Sequence, residues 1–265
     1  MTFFRDKVAV ITGAGSGIGR ALAVELARRG ARLALSDIDM SGLAQTRTAC
    51  GAAEVRQYRL DASSKEAFFA HAEQVQRDFG TVHLVFNNAG ATLVGTIEHL
   101  TIDEIEWQLG INLWGVIYGT KAFLPMMLAQ REGWIVNVSS VFGLIGYPAQ
   151  GAYNISKFGV RGLTECLWAE LEGTGVQAVC VHPGGTRTNI EKASRRSANA
   201  GPVEDGFADL AEKLLVTPPE VVAVDILKGI ERGKRRILTG KLSSTLFWLA
   251  RLLPNRYPRV VQMLS

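Results

Sequence analysis

Cysteine is scarce: Cys50, Cys166 and Cys180 are the three in 265 residues, and they share no short spacing. That leaves no disulfide framework and no CxxC metal site, and it predicts a reducing, cytoplasmic setting. Proline is also scarce at 8, and the 28 glycines are scattered. With no linker, repeat or low-complexity tract, residues 1–265 are expected to form one domain. Long apolar runs are missing. The longest uncharged stretch, Gly133 to Ser156, carries Asn137, Pro148, Asn154 and several Ser and Gly residues, so no membrane span is expected. The opening residues MTFFRDKVAVITG enter a strand pattern without a signal-peptide pattern. The four histidines, His71, His83, His99 and His182, fall in no HExxH or Cys/His group, and no Ser lies in a GxSxG elbow. Zinc hydrolysis and Ser-His-Asp catalysis therefore lack their parts, and no metal is expected.

Charge of one sign is nearly absent from the end of the chain. Lys228 to Ser265 holds nine Lys/Arg against Glu231 alone, whereas residues 1–227 hold twenty basic and twenty-four acidic residues. Nucleic-acid binding would need basic residues interleaved with aromatics over a wide face, and beside Phe247 the cluster has just Trp248 and Tyr257; it is not expected.

What is present is an alternation. Short Val/Ile/Leu-rich runs at Lys7–Thr12, Arg32–Ser36, Val55–Arg59, Leu84–Asn87, Trp134–Val138, Val176–His182 and Arg236–Thr239 read as seven buried strands. Between them lie amphipathic segments at Gly17–Arg29, Ser64–Phe79, Thr101–Arg131, Tyr153–Gly173 and Pro218–Arg232. Thr101 with Glu104 makes a full capping box; Ser64 with Ala67 does not. Repeated βαβ units predict an α/β, doubly wound Rossmann-type domain, with a seven-stranded parallel sheet between helices. Its ligand crevice is expected beyond the carboxyl ends of the strands.

That criterion selects TGAGSGIGR after the first strand, where Gly13, Ser16, Gly17, Ile18 and Gly19 open a helix. Glycines let the backbone approach a pyrophosphate, whose charge is favoured at a helix N-terminus. Asp37 ends the second strand, placed to accept hydrogen bonds from both ribose hydroxyls of an adenosine; its other reading is a turn or cap residue. The same carboxylate would repel a 2′-phosphate, and neither Ser16 nor Ile38 is basic, so NAD is expected ahead of NADP, with Arg20 the complication. Asp61 and Ala62 follow the third strand near an adenine edge, and Asn88, Ala89 and Gly90 follow the fourth, small where a flat ring must pass. Each of these alone reads equally well as a turn.

Tyr153 and Lys157 are four residues apart in GAYNISKFG, on one face of a helix. An ammonium beside a phenol favours phenolate and predicts a lowered Tyr153 pKa, which suits a proton donor and acceptor. Ser140, thirteen residues upstream, is placed to bind a carbonyl oxygen as charge develops on it; Ser139 is its rival.

Together TGAGSGIG, NNAG, Asn112 in INLWG, NVSS, YNISK and HPGGTRT, spread over Lys7 to Thr239, closely resemble the short-chain dehydrogenase/reductase family. The resemblance implies an alcohol/carbonyl oxidoreductase with Tyr153 as general acid/base. It implies that Lys157 holds the nicotinamide ribose, that Ser140 orients the substrate oxygen, and that Asn112 supports a water linking Lys157 to a proton relay. It also assigns Pro183, Gly184, Thr186 and Thr188 to the nicotinamide and its phosphates, and a homo-dimer or homo-tetramer to the helices at Thr101–Arg131 and Tyr153–Gly173. From the residues alone, Asn112 reads equally as a polar group satisfied inside a helix.

Residues 186–217 read as an irregular lid, with Lys192, Arg195 and Arg196 either solvated or facing an anionic substrate. Phe142, Leu144, Ile145 and Tyr147 border Ser140 with apolar surface and favour a lipophilic small-molecule substrate. The tail at 241–265 combines Leu246, Trp248, Leu249, Leu252 and Leu253 with Arg251, Arg256 and Arg259. Packing, over the substrate pocket or against another subunit, is its first reading and weak contact with a membrane surface its second.

Overall fold

In the computed structural model, which describes residues 3–188 and 194–263, the apolar runs become strands whose alternate residues point to opposite faces, both covered. In β1 (Val8–Thr12) Val8 and Val10 join one core cluster while Ala9 and Ile11 join the other. That two-sided burial is why parallel strands read as unbroken hydrophobic runs. The remaining strands are β2 (Arg32–Asp37), β3 (Val55–Arg59), β4 (Leu84–Asn87), β5 (Leu93–Val94), β6 (Gly133–Val138), β7 (Val176–Pro183), β8 (Arg195–Arg196) and β9 (Arg236–Thr239). Seven of them form a parallel sheet in the order β3-β2-β1-β4-β6-β7-β9. The chain runs outward from β1 to β3 and then restarts beside β1 with β4. A crevice therefore opens between the ends of β1 and β4, where a doubly wound sheet places its ligand.

The helices are α1 (Gly17–Arg28), α2 (Met40–Ala49), α3 (Lys65–Phe79), α4 (Ile102–Leu109), α5 (Gly115–Gln130), α6 (Gly151–Glu170), α7 (Pro202–Leu214), α8 (Pro219–Glu231), α9 (Ser243–Leu252) and α10 (Tyr257–Met263). On one face Leu22 and Leu26 of α1 and Val222, Ile226 and Ile230 of α8 pack on Ile11, Leu33 and Leu35. On the other, Phe68 and Val75 of α3, Phe123 and Met127 of α5 and Leu167 of α6 pack on Val10, Val85 and Ile135. Each such fully buried side chain contributes about 1.5–3 kcal/mol from removal of its apolar surface from water.

Three expectations change. A helix not anticipated, α2, follows β2, capped by Asp39, whose carboxylate accepts from Ser41 N at 3.0 Å. The helix expected over Thr101–Arg131 starts as expected, with both halves of the Thr101–Glu104 capping box formed. It then breaks into α4 and α5 around a wider π turn at Gly110–Trp114, closed by Gly115 N–H on the Gly110 carbonyl. Finally, the segment expected to be an irregular lid contains β8 and α7; Lys192 lies outside the described residues. Glu204, fully buried, ties the start of α7 to the β5 loop by accepting from Thr96 N at 2.8 Å and Gly201 N at 2.9 Å and meeting His99 Nδ1 at 2.9 Å.

Candidate active site

The Gly-rich turn fills the crevice at the end of β1. Gly13 (φ +65°) and Gly17 (φ +50°) have left-handed backbones, and a Cβ on Gly13 would stand 2.8 Å from the Ala89 Cα. At Gly19 a Cβ would collide with the Gly13 carbonyl oxygen. Ser16 caps α1 without a side-chain hydrogen bond, and the first turn holds no acidic residue. Its N–H groups and positive end are thus left for an anion, the arrangement that binds a pyrophosphate. Thr188 borders Gly17, while Thr186 donates to the Gly184 carbonyl at 2.8 Å. Gly184, just beyond Pro183 at the end of β7, leaves no room for a Cβ against the Lys241 carbonyl.

Thr12, which sequence reasoning passed over, holds the two halves of this loop together. Its hydroxyl accepts from the backbone N–H of both Asn88 and Ala89 at 3.0 Å. The Asn88 amide in turn donates to the Thr12 carbonyl at 2.9 Å. The threonine in TGAGSGIG was the available signal.

Asp37 lies at the far end of the crevice. One carboxylate oxygen accepts from Gly15 N at 2.8 Å and the other from Asp39 N at 3.0 Å, so turn residue and crevice wall are one group. Each oxygen keeps a lone pair for a further donor. Arg20 points elsewhere: it bonds the Gly15 and Gly42 carbonyls, Gln45 and Thr46. Asp61 accepts from Ser63 N and Oγ at 2.9 and 2.6 Å, and with Ala62 it borders the same crevice.

A continuous cavity of about 530 Å³ runs from Gly13, Ser16, Ile18 and Asp37 past Ala89, Gly90 and Thr186 to Ser140, Tyr153 and Lys157. Beyond these it is walled by Phe142, Tyr147, Phe207, Leu246, Leu249 and Val261. The fit to a dinucleotide rests on the glycine cradle and the uncapped N-terminus of α1 at one end of this space. The far end is apolar.

Tyr153 opens α6, half-buried, with its ring edge-on to Phe142 at 6.1 Å. Its hydroxyl is hydrogen-bonded to Ser140. Ser140 follows β6 and accepts from Phe142 N at 3.1 Å, whereas the neighbouring Ser139 spends its hydroxyl on the Lys157 carbonyl at 2.8 Å. Below them His182, fully buried, contacts the Ser140 carbonyl through Nδ1 at 3.0 Å. It braces that backbone; burial pushes its pKa down to about 4.

Lys157 is buried one turn on. Its Nζ donates to the Val138 carbonyl at 3.0 Å and lies 5.6 Å from the centre of the Tyr153 ring. The expected electrostatics are reversed. Loss of solvation pushes Tyr153 up to about 12, against the Ser140 hydrogen bond that pulls it down, and the same loss pushes Lys157 down to about 8. For both groups loss of solvation is the largest cause.

Asn112 sits in the π turn, fully buried. Its side chain accepts from Ala91 N at 2.8 Å and donates to the Ala91 carbonyl at 2.9 Å. Its structural role is thus the splice of α4–α5 to the loop after Gly90. Arg195 stacks on Trp107 at 4.0 Å and Arg196 pairs with Asp205 at 2.6 Å, so both are engaged within the fold.

Residues 7–199 match the family described as short chain dehydrogenase. A Mycobacterium tuberculosis protein named as an oxidoreductase, SadH, is 44% identical over 98% of this chain and 96% of its own. Human estradiol 17-beta-dehydrogenase 11 is 31% identical over 97% of this chain and 82% of its own. A Burkholderia phymatum short chain dehydrogenase/reductase, solved in complex with NAD, is 35% identical, covers 93% of each chain and superposes with a TM-score of 0.87.

Proposed function

The chain belongs to the short-chain dehydrogenase family and is an oxidoreductase, and from that premise we propose that it interconverts a lipophilic secondary alcohol and its ketone with NAD. One observation carries the reading. The Tyr153 hydroxyl, hydrogen-bonded to Ser140 and one helical turn from a buried lysine, faces the same cavity as an anion-accepting glycine turn. When bound, the nicotinamide supplies the hydride acceptor or donor. Tyr153 takes the alcohol proton as the hydride leaves the carbinol carbon, and returns it in the opposite direction. Ser140 holds the oxygen on which charge develops, a contribution worth about 3–4 kcal/mol in comparable donor sites. Lys157 is placed to hold the ribose and to place positive charge beside the phenol. Asn112 positions the backbone that faces Lys157.

NAD is read from Asp37, because a carboxylate at the adenosine end opposes a 2′-phosphate and Arg20 is committed to four acceptors. A lipophilic substrate is read from the apolar far end of the cavity, and the named activity of the estradiol dehydrogenase relative agrees with that chemistry. Phe207 of α7, within the segment expected to form a lid, walls this end. Exposed Ile102, Trp114, Ile155 and Phe158 on α4, its π turn and α6 support a homo-oligomer. Free Cys50, Cys166 and Cys180 suit a cytoplasmic setting, and among the described residues no helix is long and apolar enough to cross a membrane.

The test is nicotinamide absorbance across a panel of alcohols and ketones with NAD and NADP. Turnover of apolar secondary alcohols with preference for NAD supports the reading; preference for NADP rejects the role of Asp37. Cofactor binding without turnover on any alcohol or ketone would favour a sensor.

A further inference from the structure

Helix α9 has two faces of different character. On its inner side Leu246, Phe247 and Leu249 pack against Leu144 and Ile145, and Leu246 and Leu249 also wall the cavity. The Tyr257 hydroxyl of α10 pins this end of the chain by accepting from Gly146 N at 3.0 Å. The outer side is uncovered. Trp248 is 55% exposed and Leu252 71%, with Leu253 exposed next in the chain.

The chain around this helix carries one sign of charge. Residues 232–265 carry eight Lys/Arg and no Asp or Glu. Arg235 and Arg236 are held by Glu172 and Glu165. Arg251, Arg256 and Arg259 have no carboxylate partner among the described residues. Exposed Trp and Leu set among unpaired cations match the chemistry of an anionic bilayer surface, where apolar insertion and electrostatic attraction add. A second copy fits less well, because a twofold contact through this face would bring like charges together.

We propose that the outer face of α9 docks this protein on anionic lipid bilayers. Trp248, Leu252 and Leu253 enter the headgroup boundary, and Arg251, Arg256 and Arg259 meet lipid phosphates. Docking brings the cavity wall within one helix diameter, about 10 Å, of the bilayer surface, which suits a substrate that partitions into lipid.

The experiment is cosedimentation of the full-length protein with vesicles of phosphatidylcholine alone or mixed with phosphatidylglycerol, at low and high salt. Binding is expected only with the anionic lipid, falling as salt rises. It is expected to be weakened more than about tenfold in Arg251→Glu/Arg256→Glu and in Trp248→Ser/Leu252→Ser. Circular dichroism checks that the variants fold, and tryptophan quenching by brominated acyl chains, present in wild type and lost in Trp248→Phe, tests the contact without a destabilising change. Absence of cosedimentation at low salt, equal binding to both lipids, or binding unchanged in folded variants overturns the proposal. So does a wild-type dimer in sedimentation velocity that the same variants dissociate.

Discussion

Lys157 reaches back to the Val138 carbonyl at 3.0 Å, joining the start of α6 to the end of β6. The bond fixes the ammonium against the Tyr153 ring, at the carboxyl end of β6 where the cavity passes. Because the cation is buried, its proton is held loosely, at a pKa near 8, while the phenol is held tightly, near 12. Burial thus moves the two groups apart, so that the ammonium loses its proton well before the phenol as pH rises.

That difference sets a pH dependence. Alcohol oxidation needs Tyr153 to accept a proton, and the accepting form grows as pH rises toward the raised phenol pKa. Ketone reduction needs the protonated form, which is full at neutral pH. The oxidation rate is expected to climb between about pH 7 and 9 while reduction stays level over the same range. Initial rates in both directions with one alcohol–ketone pair check this, and oxidation that falls over that range would contradict it.

Asp37 can be tested by reversal. Asp37→Ser combined with Ile38→Arg removes the carboxylate and supplies a cation for a 2′-phosphate. The variant is expected to lose at least about tenfold in kcat/KM with NAD and to gain with NADP, corresponding to about 1.4 kcal/mol each way. An unchanged preference would show that Asp37 serves only the bonds to Gly15 and Asp39.

Gly13 is irreplaceable for a backbone reason. Its φ of +65° costs a side-chain-bearing residue about 1–2 kcal/mol, and an added Cβ would press on Ala89 at 2.8 Å. Gly13→Ala is expected to lower Tm by several degrees and to weaken NAD binding more than tenfold, read by thermal melting and titration. Wild-type behaviour in both would refute the close approach.

Acid stability turns on buried histidine. His71 is packed among Tyr58, Phe68 and Phe123 with both ring nitrogens unpartnered, and burial pushes its pKa down from 6.5 to about 4. A depressed folded-state pKa contributes stability that is complete above the unfolded value and lost as pH falls through 4. The loss amounts to about 3 kcal/mol. In His71→Leu, urea unfolding between about pH 7 and 4.5 is expected to lose less stability than wild type; an identical loss would exclude His71 as the cause.

The parts of the fold legible in sequence were those buried on both faces. The seven strands of the large sheet were found because two-sided burial leaves an unbroken apolar run, as in VAVIT. Helix α2 was missed because its buried residues are only Gly42, Leu43 and Thr46, too few for a periodic stripe. The break at Gly110–Trp114 was hidden because a π turn is set by the Asn112 bonds to Ala91, a tertiary contact with no local pattern. Helix α7 was lost in text rich in Gly, Pro and charge. At the site, the residue types and spacings of Ser140, Tyr153 and Lys157 were readable, but the direction of the Tyr153 shift was not. Charge proximity can be inferred from an i, i+4 spacing; the depth of burial cannot.

The central claim is that the Tyr153 hydroxyl moves the proton. The most direct measurement compares wild type with Tyr153→Phe in stopped-flow turnover on a substrate of the wild type, alongside NAD affinity by titration. The account predicts a fall in kcat of about 10²–10⁴-fold with NAD affinity within about threefold of wild type; retention of full turnover by the phenylalanine variant would contradict it.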